Sequence, residues 1–150
     1  MRDEGKCRLE ICEKINELKG KVNSSFVVDT LTYHHRGGRC SSVAALAGGV
    51  LKLHPMIIVS DGSMSASKKY RGKMSKVILD YVKDKEVSLK AADKERVFIT
   101  HSGCDQEIID NVHATLSELE YFDEILITRA GGVISSHCGY GALGVLYLEK

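Results

Sequence analysis

Apolar positions along this chain switch between helical and strand spacing, and the switches outline its elements. From Cys7 to Leu18, the residues Leu9, Ile11, Cys12, Ile15 and Leu18 gather on a broad helical face, with Glu10, Glu13, Lys14 and Glu17 mostly outside it. That spacing predicts an amphipathic helix ended by Lys19-Gly20, with Cys12 as a structural residue on its apolar side. Phe26-Val27-Val28 predicts a short buried strand, followed by Asp29-Thr30 and a helical turn in LTYHH. Ser41 or Ser42 caps a helix from Val43, whose Ala44, Ala45, Ala47, Gly48 and Gly49 permit close packing against protein or ligand. Pro55 discourages further helix and opens the strand MIIVS, which DGS turns into MSASKKYRG as an antiparallel hairpin. Met74, Val77, Ile78, Tyr81 and Val82 then return to helical spacing.

The charged stretch KDKEVSLKAADKE reads as a surface connection, and ERVFITHSG as a strand running into a tight loop. In DQEIIDNVHATLSELE the residues Ile108, Ile109, Val112, Leu116 and Leu119 face inward on a helix capped by Asp105 or Ser102. The last section, DEILITR, AGG, VISSHCGYG and ALGVLYLEK, alternates strand with glycine and puts His137 in a strand. Strands with helices of single apolar faces predict an α+β fold: a two-layer domain with a mixed or largely antiparallel sheet covered by helices.

Composition narrows the class. A chain of 150 residues with 43% hydrophobic and 27% charged residues is long enough for one sizeable core. A formal net charge of +1 indicates no broad nucleic-acid-binding face, so any anion recognition is local. The N-terminal MRDEGKCRLE has no apolar signal core and no apolar run reaches membrane-spanning length, which predicts a cytoplasmic protein without stable membrane insertion. Starting at Met1 within a charged approach, the chain also reads as cut from something longer.

Local chemistry centres on Arg36-Gly37-Gly38-Arg39. Two glycines let the backbone bend without a Cβ penalty, and two guanidinium forks suit a carboxylate or phosphate; a glycine turn with solvated arginines is the competing reading. His34-His35 lacks an acidic or cysteine ligand nearby, so no metal site is expected. Five cysteines without CxxC spacing fit reduced thiols, and His137-Cys138 is not expected to act as base and nucleophile. There is no GxGxxG and no Walker loop, so nucleotide binding by either route is not expected, and without a convincing nucleophile and base neither is catalysis. Lys68, Lys69 and Arg71 make a positive patch, either a solvated edge or a partner surface. His101, at a strand-to-loop boundary, is either a site residue or a structural hydrogen-bonding group.

Taken in order, VVDTLTYHHRGGR, LKLHPMIIVSDGS, KKYRGK, VFITHSG and GGVISSHCGYGALGV resemble the C-terminal domain of the DegV family of bacterial fatty-acid-binding proteins. The resemblance implies a linking helix over 1–22, a lipid-binding domain over 23–150, and a missing N-terminal α/β domain whose hydroxyl-bearing loops complete the site. It implies that a long-chain fatty acid is the ligand, with no cofactor, and that His137 hydrogen-bonds the carboxylate while Arg39, with Arg36 as a lesser contributor, orients or neutralises the polar network. Gly37, Gly38, Gly139 and Gly141 would shape the loops; Leu31, Val43, Leu46, Val50, Ile58 and Ile134 are candidates for the acyl-tunnel wall. Some members of the family look like carriers for a separate fatty-acid kinase, which makes Lys69 and Arg71 candidates for the partner surface. The alternative is a noncatalytic interaction or regulatory domain without lipid transport. Cys40, Cys138 and Tyr140 depart from the family pattern, where an aliphatic residue, a small hydroxyl residue and a proline are usual; the departures bear on loop geometry and lipid preference.

Overall fold

A computed structural model describes residues 1–29 and 53–150 of the chain. The hairpin is as the sequence predicts: β2 (Leu53–Ser60) and β3 (Ser63–Arg71) pair antiparallel around a two-residue turn. Asp61 and Gly62 both take positive φ, 50° and 72°, the backbone twist that tight hairpins favour. Pro55, which has no N–H to give to a ladder, sits where the β2–β3 register shifts.

Four further strands complete one mixed sheet in the order β3-β2-β1-β6-β4-β5, with β1 at Val22–Val27, β4 at Ala92–His101, β5 at Glu124–Arg129 and β6 at Leu143–Glu149. All neighbours run antiparallel except β4 and β5, whose parallel pairing is bridged by a helical crossover. The helices are α1 (Arg8–Lys19), α2 (Met74–Asp84), α3 (Glu86–Lys90), α4 (Gln106–Ser117) and α5 (Gly132–Cys138). The fold is therefore an open α+β domain with a mixed sheet. Among the described residues no helix is long and apolar enough to cross a membrane.

Strand alternation divides the sheet into two unlike faces. On one, Val27, Val97, Ile99, Leu143, Val145 and Tyr147 pack against Val77, Ile78, Tyr81 and Val82 of α2, Leu89 of α3, and Ile109, Val112 and Leu116 of α4. These are the inward positions that helical spacing predicts for α2 and α4. Tyr81 is fully buried there, and its hydroxyl donates to the Ser25 carbonyl at 2.8 Å while accepting from the Val145 amide at 3.0 Å. Because Ser25 and Val145 are register partners of β1 and β6, the phenol bridges the two strands from the helix side. The other face carries Ser24, Phe26, Val59, Met64, Thr100, Gly144 and Leu146, and it is against this face that α5 lies.

Three sequence expectations are corrected. VISSHCGYG is a helix and a turn rather than a strand: Gly131 enters extended, Gly139 leaves at φ 77° with its N–H bonded to the Ser135 carbonyl, and the Ser135 hydroxyl donates to the Ala130 carbonyl at 3.0 Å. Local capping thus outweighs the strand preference of Val133-Ile134. The charged stretch 83–95 is more than a connection, since Leu89 of α3 is fully buried and β4 already begins at Ala92. In α1 no residue is buried; Leu9 is 65% exposed and Ile15 46%, and Cys12 is exposed rather than structural.

Candidate functional site

On the second face of the sheet lies a cavity of about 450 Å³. Phe26 of β1, Val59 of β2, Met64 of β3 and Leu146 of β6 form its floor, and Val133, Ile134, His137 and Cys138 bring α5 over it. Gly144 allows strands and cavity to meet closely, since a Cβ there would stand 2.5 Å from the Ser25 carbonyl oxygen and 2.8 Å from Phe26 Cβ. A second groove, lined by Val22, Phe98 and Leu148, shares Thr100 and Leu146 with the first and continues it along the sheet.

Polarity is unevenly distributed along this path. His101 ends β4 and pairs with Leu143 at the start of β6, so His101, Ser102, His137, Cys138 and Ala142 meet at one end. Away from that end the strands supply Val59, Met64, Leu146 and then Phe98 and Leu148, with Asp93, Glu95 and Arg96 bordering the second groove. From Leu143 to Leu148 the path follows β6 for about 17 Å. The shape is that of a slot with a polar head, an apolar middle and a charged far rim.

His137 stands in the last turn of α5, half-buried at the polar end, and among the described residues its ring nitrogens have no hydrogen-bond partner. His101 is differently held. Its Nδ1 accepts from the backbone amides of Gly103 and Cys104, both at 3.3 Å, and burial together with Arg129 holds its pKa below the usual histidine value. The Ser102 hydroxyl is given to the Gly139 carbonyl, tying the two loops together at the polar end. Cys138 is buried against Val28 and Ala142, and burial pushes its thiol pKa up, the opposite of what an activated nucleophile needs. Cys104 is pushed up to about 11 by burial, with Asp105 and Asp29 adding to the effect.

Several predicted site residues come together here and others do not. His137 and Ile134 line the cavity, and Gly139 and Gly141 take positive φ of 77° and 84° in the turn after α5. Ile58 is register partner of Ser25, which puts it on the helix-covered side; Val59 occupies the cavity face in its place. Lys69 and Arg71 are exposed on the edge strand β3, without an ion pair among the described residues, whereas Lys68 is committed to Asp84 and holds that carboxyl below the usual carboxylate range. Leu31, Arg36, Gly37, Gly38, Arg39, Cys40, Val43, Leu46 and Val50 lie outside the described residues. Among the described residues no group of three or more His, Cys, Asp or Glu side chains is placed to hold a metal ion. His101 is the residue that sequence reasoning left open; its position at the end of a strand, before a Ser-Gly loop, was the available signal.

Comparison with known proteins gives this geometry a family. The family model described as "Uncharacterised protein, DegV family" matches residues 1–150. A DegV domain-containing protein of Clostridium perfringens is 33% identical over 149 residues, covering 99% of this chain and 50% of the relative. The crystal structure of a fatty acid binding DegV family protein from Streptococcus agalactiae superposes with a TM-score of 0.82 at 25% identity, covering 99% of this chain and 52% of that one. The fatty acid kinase B3 protein of Streptococcus pneumoniae, loaded with linoleic acid, shares the fold with a TM-score of 0.81 at 20% identity, covering 99% and 52%. The chain spans about half the length of the relatives it matches. With the family model matching from its first residue to its last, and the sheet superposing on solved members, the chain belongs to the DegV family.

Proposed function

We propose that this chain binds a long-chain fatty acid as the C-terminal part of a two-domain carrier, which presents the acid's carboxylate to a separate kinase. The observation that carries the reading is the polarity of the cavity: the His137 imidazole at one end and the apolar floor of Phe26, Val59, Met64 and Leu146 leading away from it. That distribution matches an amphiphile with one charged group. Each buried methylene contributes about 0.8 kcal/mol, so a tail of about fifteen supplies on the order of 12 kcal/mol before ordering costs. The head group supplies orientation, because a buried carboxylate is tolerated only when its oxygens are hydrogen-bonded.

In this scheme His137 donates to the carboxylate, and Arg39, with Arg36, neutralises or orients the polar network. Ile134 walls the slot, joined by the candidates Leu31, Val43, Leu46 and Val50. Residues 1–22 serve as a linking helix and 23–150 as the lipid-binding domain; the exposed apolar side of α1 is in keeping with a helix whose partner surface is elsewhere. Support for fatty acid as the ligand comes from the solved S. agalactiae relative, described as fatty acid binding. Support for a kinase comes from the S. pneumoniae neighbour, whose description names a fatty acid kinase. Strand alternation and register put Lys69 and Arg71 on the cavity face, toward the same end of the sheet as His101. A basic edge beside the head group suits a partner that must reach the carboxylate.

Because the chain covers half of its relatives, it is read as an incomplete half-site whose carboxylate contacts are completed by an N-terminal α/β domain. Isothermal titration with a long-chain fatty acid separates the parts. The complete gene product is expected to bind, and the 150-residue chain to bind more weakly or not at all. Equal affinity in the two would overturn the half-site, and absence of binding in both would overturn the lipid reading. A noncatalytic interaction domain would instead retain a partner through Lys69 and Arg71 regardless of bound lipid.

A further inference from the structure

The two edges of the sheet are built differently. β3 carries Lys68, Lys69 and Arg71 and meets β2 through a shifted register, devices that keep an edge strand from pairing further. β5 has neither lysine nor bulge. Its ladder with β4 runs unshifted from Glu124 to Arg129, Ile125 to Thr128 are uncharged, and among the described residues no strand pairs with its outer side. Ile127 is 46% exposed, although its register partner Ile99 is fully buried on the same face.

Alternation assigns the backbone groups of that outer side. The Ala130 amide donates to the His101 carbonyl at 2.9 Å, and the same phase carried back along β5 turns the N–H and C=O of Leu126 and Thr128 to β4. The far side of β4 agrees: the Ser102 amide donates to the Ala142 carbonyl at 2.9 Å, which leaves the backbone groups of Val97, Ile99 and His101 for β5. Ile125 and Ile127 therefore point their N–H and C=O away from the sheet. Asp123, just before the strand, is anchored by its own amide on the Lys94 carbonyl at 2.8 Å.

Residues 123–129 read Asp-Glu-Ile-Leu-Ile-Thr-Arg, a run that complements itself about Leu126. When it is laid antiparallel on a second copy with Leu126 on the two-fold axis, Ile125 faces Ile127, Glu124 faces Thr128 and Asp123 faces Arg129. The two isoleucines with outward backbone groups then form the hydrogen-bonded pairs. An axis at Ile127 would instead set Ile125 against Arg129 and leave Asp123 with no residue of β5 opposite it. The charges at the ends of the run are available for this use. Arg129 is exposed and has no ion pair among the described residues, and Asp123 holds Lys94 only at 3.4 Å in an exposed pair. Glu124 keeps Arg96 at 2.8 Å and faces only a neutral threonine.

We propose that the outer edge of β5 is an interface between two copies of this chain, which pair antiparallel across a two-fold axis at Leu126 and join their sheets into one. The contact is isologous, so each Asp123–Arg129 pair occurs twice. One short strand from each copy makes a small interface, in the class of weak, concentration-dependent dimers. The pairing is independent of what the cavity binds.

Sedimentation equilibrium of the complete gene product tests it, with half-dimerisation expected on the order of 10 μM. Asp123→Arg and Arg129→Asp each set like charges opposite one another twice, and each is expected to weaken self-association about tenfold or more. Mixing the two single variants restores opposite charges at both ends, so the mixture is expected to form a heterodimer about as tightly as wild type pairs with itself. Both positions are exposed, so the variants are expected to unfold at the wild-type midpoint. Hydrogen exchange at the Ile125 and Ile127 amides of wild type is expected to slow as concentration rises. A complete protein that stays monomeric up to about 300 μM would overturn the proposal. So would a dimer indifferent to both charge reversals, or single variants that both weaken but fail to recover on mixing.

Discussion

Exchanging His137 for phenylalanine is expected to weaken binding of a long-chain fatty acid to the complete protein by about ten- to a hundredfold, the worth of one hydrogen bond to a charged acceptor. The ring volume is retained, so the apolar slot keeps its shape and the methyl ester of the same acid is expected to bind with unchanged affinity. His137 stands at the polar end of the cavity without a protein partner among the described residues, so its loss leaves no other described side chain unpaired. Thermal unfolding of the unliganded variant is accordingly expected to match wild type. A loss shared by acid and ester, or a large drop in stability, would assign His137 to packing.

The second large effect concerns the scaffold. Tyr81→Phe is expected to destabilise the fold by about 3 kcal/mol, read from the urea or guanidinium midpoint at unchanged slope. One oxygen is removed, and three groups lose a partner: the Ser25 carbonyl, the Ser25 hydroxyl and the Val145 amide. All lie beneath α2 in a fully buried position where water cannot replace the phenol. Burial pushes the Tyr81 phenol pKa upward, so the hydroxyl remains protonated, able to donate and accept together, throughout the ordinary pH range. A midpoint shift corresponding to less than about 0.5 kcal/mol would mean that β1 and β6 close the gap by bonding to each other directly.

These two residues also mark how far the sequence was informative. Helical spacing identified Tyr81 as an inward residue of α2, and alternation with Asp-Gly identified the β2–β3 hairpin, because both signals are local and repeat several times. Nothing local tells that the Tyr81 hydroxyl bridges Ser25 and Val145, which are 56 residues before it and 64 after it. α5 was missed because its seven residues include the β-branched pair Val133-Ile134, while what makes it a helix is capping by Gly131 and Gly139 and back-bonding by Ser135. Leu89 was missed as a core residue because a lone apolar side chain among charges has no period.

At the site, residue type proved more legible than orientation. Ile58 and Val59 are equivalent candidates in sequence, and only the register with Ser24 and Ser25 decides which one reaches the cavity. His137 was legible through its motif, not through the strand expected to carry it. His101 was recognised as a boundary residue, but what holds its ring, amides two and three positions later folding back onto Nδ1, is not legible in sequence. Tyr140 departs from the family pattern, and its packing on Gly103 gives that departure a physical place.

The central claim is that the polar-headed slot exists to hold a fatty acid. Native mass spectrometry of the complete gene product, isolated gently from its own cells, tests it most directly. A noncovalent acyl ligand, released on activation and identified as a free long-chain acid, is the predicted result. Repeated recovery of lipid-free protein that also gives no heat on titration with fatty acids would contradict it.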